Sequence, residues 1–227
     1  TATQYFVGDF DGKNFTISEN KTLWMDYGTD NYAGVTYNNI PTSDGRRILI
    51  GWMSNWNYAQ NVPTTTWRSA MTIPRKLSLA QVSGSYVLKS NPVVEYSTYK
   101  TNNPDTSATG PLKSISTKDN KIIKTGSYEI NFNVDLNSSA SFLLTLGNLK
   151  EKIYLSYDKP AQNLVVDRSG AGIDFANLLR QKIYSPYVAK VGQATKFQIL
   201  VDKTSMEIFV DDGERVITTL FFPKYQY

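Results

Sequence analysis

The chain has 227 residues, 41% hydrophobic, 13% aromatic and 19% charged, with 24 Lys and Arg against 20 Asp and Glu for a formal net charge of +4. That is a globular composition, and no apolar run approaches the roughly 18 residues that suggest a membrane span. Cys and His are both absent, which excludes thiol chemistry, Cys/His zinc sites and a Ser-His-Asp triad, and the basic residues are too dispersed for a nucleic-acid stripe.

The hydrophobic period is two, and the predicted elements are strands. Residues 5–10 read as a strand ended by Asp11-Gly12, followed by 34–37, 47–53 and 69–79, with turns at Ser43-Asp44-Gly45 and Pro63. Residues 97–126 are rich in Ser, Thr, Asn, Lys and Gly and poor in large apolar side chains; all four Trp precede them. They read as a linker or a loose first strand, with a boundary near 95–105. Beyond it, 128–136 alternate apolar and polar without a break, and 152–157 and 163–167 flank a Lys159-Pro160 turn. Residues 174–182 are the one helix-like stretch. Residues 197–201 and 206–210 form a hairpin, and Asp211-Asp212-Gly213 turns into a last strand at 214–222. Short strands at this spacing predict an all-β architecture.

Chemistry concentrates in 24–67, which hold Trp24, Tyr27, Tyr32, Tyr37, Trp52, Trp56, Tyr58 and Trp67. Sugars present apolar C–H faces edged with hydroxyls, so flat rings with neutral hydrogen-bonding partners suit them. Asn55, Asn57, Gln60, Asn61 and Thr64 to Thr66 supply such partners. Packing of a β-core is the competing explanation for the rings. The acids here are Asp26, Asp30 and Asp44, with Asp44 in an ordinary turn, and they make no complete pair for glycosidic hydrolysis. Asp211, Asp212 and Glu214 read as a solvated hairpin tip whose spacing fits no Ca²⁺ loop, so no metal is expected. Sequons at Asn14, Asn20 and Asn137 are glycan acceptors if the chain is secreted by a eukaryote.

The stretches YFVGDFDG (5–12), WMDYGTDNYA (24–33), GWMSNW (51–56), TWRSAM (66–71) and IPRKL (73–77) resemble glycoside hydrolase family 32, and LVVDRS (164–169) and VDKTSMEIF (201–209) resemble its C-terminal β-sandwich. The family contains levanases, exo-inulinases and invertases. The resemblance implies the last part of a five-bladed β-propeller at 1–95, a linker at 96–104 and a sandwich at 105–227, lacking its last strands. It implies retaining hydrolysis of β-fructofuranosyl bonds in levan, inulin or sucrose, with terminal fructose released by a secreted protein without a cofactor. The family's carboxylates lie in Asn-Asp-Pro, Arg-Asp-Pro and Glu-Cys motifs, none of which occurs here. The resemblance thus places no catalytic residue in this chain and makes the missing propeller part, in the same or another chain, its partner beside the fructan or sucrose substrate. Trp52 matches a Trp that walls the fructose pocket, and Tyr32, Asp30 and Asp26 are expected at its rim. Trp56 and Trp67 are expected in propeller packing, and Arg68 and Arg75 in ion pairs. Transfer to another sugar, or carbohydrate binding without catalysis, are the rival readings.

Overall fold

In a computed structural model, which describes residues 2–100, 126–138 and 142–225, the chain is built from antiparallel strands. Residues 101–125, which include part of the expected linker and the start of the expected sandwich, lie outside the described residues.

The first half opens with two short ladders. Strand β1 (Gln4–Tyr5) pairs with β4 (Leu23–Trp24), and β2 (Gly8–Phe10) with β3 (Phe15–Ile17). The single strand expected at 5–10 is therefore two, each with its own partner. Then β5 (Tyr32–Thr36), β6 (Arg47–Met53), β8 (Arg75–Val82) and β9 (Ser85–Pro92) form an up-and-down sheet in the order β5-β6-β8-β9, the form of a propeller blade. The strand expected at 69–79 is broken: β7 (Ala70–Met71) pairs with the end of β6, and β8 pairs with its beginning. Pro74 lies in the gap and has no N–H for a ladder. Thr72 holds the break together, its amide donating to the Gly51 carbonyl (2.9 Å) and its hydroxyl accepting from the Gly51 amide (3.0 Å).

The second half is a sandwich of two four-stranded sheets. Strands β10 (Tyr128–Val134), β15 (Thr195–Asp202), β16 (Ser205–Val210) and β17 (Arg215–Leu220) form one in the order β10-β15-β16-β17. Strands β11 (Leu143–Gly147), β12 (Lys152–Asp158), β13 (Asn163–Asp167) and β14 (Ile183–Pro186) form the other in sequence order. Period-two patterning explains why. Ile130, Ile199 and Ile208 stand opposite one another across three strands, as do Phe132, Phe197 and Val210, and both rows face Ile153, Leu155, Leu164 and Val166 of the second sheet. Phe132 stacks on Phe197 at 4.8 Å between ring centroids, a geometry that adds to burial. The helix expected at 174–182 is one 3-10 turn at Asn177–Arg180: the segment is too short to sustain a helix in isolation, and its apolar side chains serve a separate cluster.

That cluster joins the halves. Met53, Tyr58 and Val62 from the blade pack with Leu220 and Phe222 after β17, supported by Phe175 and Leu178.

Candidate functional site

The aromatic residues of β5–β7 form one rung. Tyr32 stands directly opposite Trp52, and Trp52 opposite Met71, so the three side chains share a face. The Trp56 ring leans on Trp52, 5.0 Å between centroids at 55°. Tyr32 and Trp52 are half-buried, while Met71 and Trp56 are 52% and 61% exposed. The result is an angled, uncharged wall with open ring surface. Trp56 and Trp67 were expected in packing; with 61% and 49% of their surface exposed they are not buried among these residues, and Trp56 extends the Trp52 surface.

The polar neighbours divide. Asn57, Gln60 and Asn61 are exposed, as a rim requires. Asn55 is not: it is buried, its Nδ2 donates to the Thr29 carbonyl (2.7 Å) and its Oδ1 accepts from the Asn57 amide (2.9 Å). Arg68 makes no ion pair among the described residues and donates to the Gln60 and Val62 carbonyls.

Asp26 and Asp30 require a correction. Both were placed at a pocket rim; both are buried, 1% and 0% exposed, with their oxygens occupied, and further polypeptide can only bury them more. The segment 26–30 docks along the free edge of β17. There the Tyr27 amide donates to the Val216 carbonyl (2.8 Å) and the Asp30 amide to the Thr218 carbonyl (3.2 Å). In return the Thr218 amide donates to Asp26 Oδ1 and the Leu220 amide to Asp30 Oδ2, each at 2.9 Å. Two carboxylates four residues apart thus accept the edge N–H groups while backbone amides between them satisfy the edge carbonyls. An uncovered edge would leave these groups unpaired. Gly28 is dictated by the same approach, because a Cβ there would overlap the Thr218 backbone.

Two arginines complete this clamp. Arg75, 0% exposed, donates to Asp26 Oδ2 (2.8 Å), Glu207 Oε2 (2.5 Å) and Thr218 Oγ1 (2.7 Å), its guanidinium 5.1 Å from the Phe209 ring centroid. Arg168, from just after β13, donates to Asp30 Oδ2 (3.0 Å), the Leu220 carbonyl (2.6 Å) and Thr29 Oγ1 (2.9 Å); Tyr58 donates its hydroxyl to Asp30 Oδ1. Burial alone would raise the Asp26 carboxyl, but the Arg75 charge and the hydrogen bonds from Arg75, Thr218 and Asn31 outweigh it and hold Asp26 below the ordinary carboxylate range. Glu207 goes the other way: burial outweighs Arg75 and raises it. Burial and the Asp30 charge push the Tyr58 hydroxyl up, so Tyr58 remains a proton donor.

The 211–214 tip is also corrected. Asp211 is buried, accepting from the Tyr187 hydroxyl (2.7 Å) and the Lys196 amide (3.0 Å), and Glu214 pairs with Lys190 (2.8 Å) and Lys89 (3.4 Å). The turn rests on β9, where the Ser90 amide donates to the Gly213 carbonyl and Asn91 to the Asp212 carbonyl. It is a further contact between the halves, apart from the clamp and the cluster. Asp212 alone of the three acids is solvated. Asn14 and Asn20 are exposed, whereas Asn137 Nδ2 donates to the Lys190 carbonyl (2.8 Å). Among the described residues no three acidic, His or Cys side chains are grouped to hold a metal, and no helix is long and apolar enough to cross a membrane. A cleft of about 360 Å³ lined by Asn131, Asn133, Lys196, Gln198 and Asp212 shares no residue with the aromatic wall.

Sequence reasoning missed Arg168, Glu207 and Thr218, and named Tyr58 among the rings without its bond to Asp30. The available signal was a charge set inside apolar strand sequence, as in LVVDR (164–168) and SMEIF (205–209).

Known proteins resemble the chain throughout. Residues 1–109 match the glycosyl hydrolases family 32 N-terminal domain and residues 94–227 the family 32 C-terminal domain. A levanase of Bacillus subtilis is 40% identical over 232 residues, 97% of this chain and 33% of the levanase. An extracellular exo-inulinase of Aspergillus awamori is 34% identical over 239 residues, 98% of this chain and 43% of that protein. The crystal structure of exo-inulinase from Aspergillus awamori superposes with a TM-score of 0.77 at 28% identity, covering 99% of this chain and 45% of that one. The chain thus spans less than half the length of these relatives.

Proposed function

The chain belongs to glycosyl hydrolase family 32, with the family's β-propeller and β-sandwich architecture, and from that membership we propose that it forms one wall of a site that releases terminal fructose from levan, inulin or sucrose. The observation that carries the reading is the Tyr32–Trp52–Trp56 surface, which offers ring faces and no charge, the chemistry a fructosyl ring binds. Trp52 stacks on the sugar, and the Tyr32 hydroxyl hydrogen-bonds at the rim.

The reactive carboxylates come from polypeptide outside these 227 residues. Support lies in what the aromatic region's own acids do: Asp26 and Asp30 are occupied in the clamp, and Asp44 is held by Arg46 in an exposed turn. In the complete protein one carboxylate attacks the anomeric carbon while a second protonates the leaving oxygen, giving a covalent fructosyl-enzyme that water then hydrolyses with retention. The contribution of the chain is binding and orientation, not proton transfer. The substrate and secretion to the extracellular space follow the relatives' names, levanase and extracellular exo-inulinase. Fructose release from levan, inulin and sucrose by the full-length protein, with Trp52→Ala beside it, tests the reading. Turnover with a raised KM in the variant supports it; absence of release from all three overturns it.

A further inference from the structure

Arg168 belongs to the sandwich, yet three of the groups it holds shape the aromatic wall. Its Nη2 donates to Thr29 Oγ1, and the Thr29 carbonyl receives Asn55 Nδ2. Its Nη1 donates to Asp30, which lies two residues before Tyr32, and contacts the Tyr58 hydroxyl at 3.4 Å. The Asn55 carbonyl accepts from the Tyr58 and Ala59 amides (3.1 and 2.8 Å), closing the turn that carries Trp56. Adhesion between the halves does not by itself account for this. A buried ion pair contributes little stability relative to a well-packed apolar replacement, and Arg168 Nε is buried with no hydrogen-bond partner among the described residues.

We infer that Arg168 is a positioning residue of the fructosyl site, acting across the interface through Asp30, Thr29 and Tyr58 to set the placement of Tyr32, Trp52 and Trp56. This rests on the reading of Trp52 as part of that site. A guanidinium fits the task because it is planar and presents several donors in fixed directions, here to four acceptors on three chain segments. The sandwich therefore contributes to substrate affinity without touching substrate.

The test is steady-state kinetics of the full-length protein on sucrose and levan, with Arg168→Met, Tyr58→Phe, Trp52→Ala and Glu214→Gln, and melting temperatures alongside. Glu214→Gln weakens a separate contact between the halves and touches nothing in the wall. Arg168→Met is expected to raise KM about tenfold with kcat within about twofold, the signature of lost binding common to ground and transition states. Tyr58→Phe shifts KM the same way by less, and decides the matter alone if Arg168→Met fails to fold. Glu214→Gln lowers the melting temperature and leaves KM unchanged. The inference is overturned if Trp52→Ala raises KM while the Arg168 and Tyr58 variants do not, or if Glu214→Gln raises KM as much as they do. An unchanged KM in Trp52→Ala removes the wall from the site, and the inference with it.

Discussion

Arg75→Met gives the sharpest test of the clamp. Arg75 is one cation serving two buried carboxylates, Asp26 and Glu207, so its removal leaves two buried acids with no countercharge. Breaking a buried pair by deleting one partner costs about 3–5 kcal/mol at neutral pH. The loss depends on pH in a direction that can be worked out. In the variant only neutral donors oppose burial, Thr218 and Asn31 at Asp26 and the Ile73 amide at Glu207, so Asp26 rises from its lowered value and Glu207, already raised, rises further above its unfolded one. An acid of that kind is least destabilising below its unfolded pKa, near 4, and becomes costly as pH rises through the folded value. In the native chain Asp26 behaves oppositely: its lowered carboxyl stabilises the fold above about pH 4, and that stability is lost as pH falls. The gap between variant and native protein therefore narrows from pH 7.5 to pH 5, by about 1.4 kcal/mol for each unit of pKa rise that is relieved. Urea denaturation followed by far-ultraviolet circular dichroism at the two pH values measures it. Arg46→Met, which removes a surface pair with Asp44 and Glu95, is the control and should leave the midpoint unchanged. A loss in Arg75→Met below about 1 kcal/mol at pH 7.5, or one that grows as pH falls, would refute the account of the clamp.

Other outcomes are equally specific. Gly28→Ala should destabilise by about 2 kcal/mol or more in the same denaturation assay, since its methyl group meets the Thr218 backbone of a paired edge and not a flexible side chain. Trp52→Ala should weaken fructose binding by more than about 1 kcal/mol in calorimetric titration, with the melting temperature little changed because the ring is only half-buried. Tyr187→Phe should cost about 1–2 kcal/mol of stability, because it leaves the buried Asp211 carboxylate short of a donor.

The sequence carried the sandwich in plain form. Residues 128–136 alternate, and their apolar positions, with Phe197, Ile199, Val201, Met206, Ile208 and Val210 of the hairpin, are those that meet in the core. The acid-free stretch from 51 to 79, with three Trp among amides, marked the region, and the resemblance of GWMSNW (51–56) to the family singled out Trp52 within it. The two-part strand at 70–82 was not legible, although Pro74 marked the break. Least legible was the clamp. Asp26, Gly28 and Asp30 look like turn or pocket chemistry because their partners lie far off in sequence: Arg168 is 138 residues from Asp30, and Thr218 is 192 from Asp26. A free strand edge has no signature in a single sequence, so neither does the loop that covers it. The 211–214 tip was misread for the same reason: its acids look solvated until β9 is brought against them.

The most direct measurement is early-time NMR of the sugar that the full-length protein releases from levan. The account predicts free fructose, first in the β-anomer, as a retaining pair of carboxylates facing this wall requires. Release of the α-anomer first, or of no fructose from levan, inulin or sucrose, would contradict it.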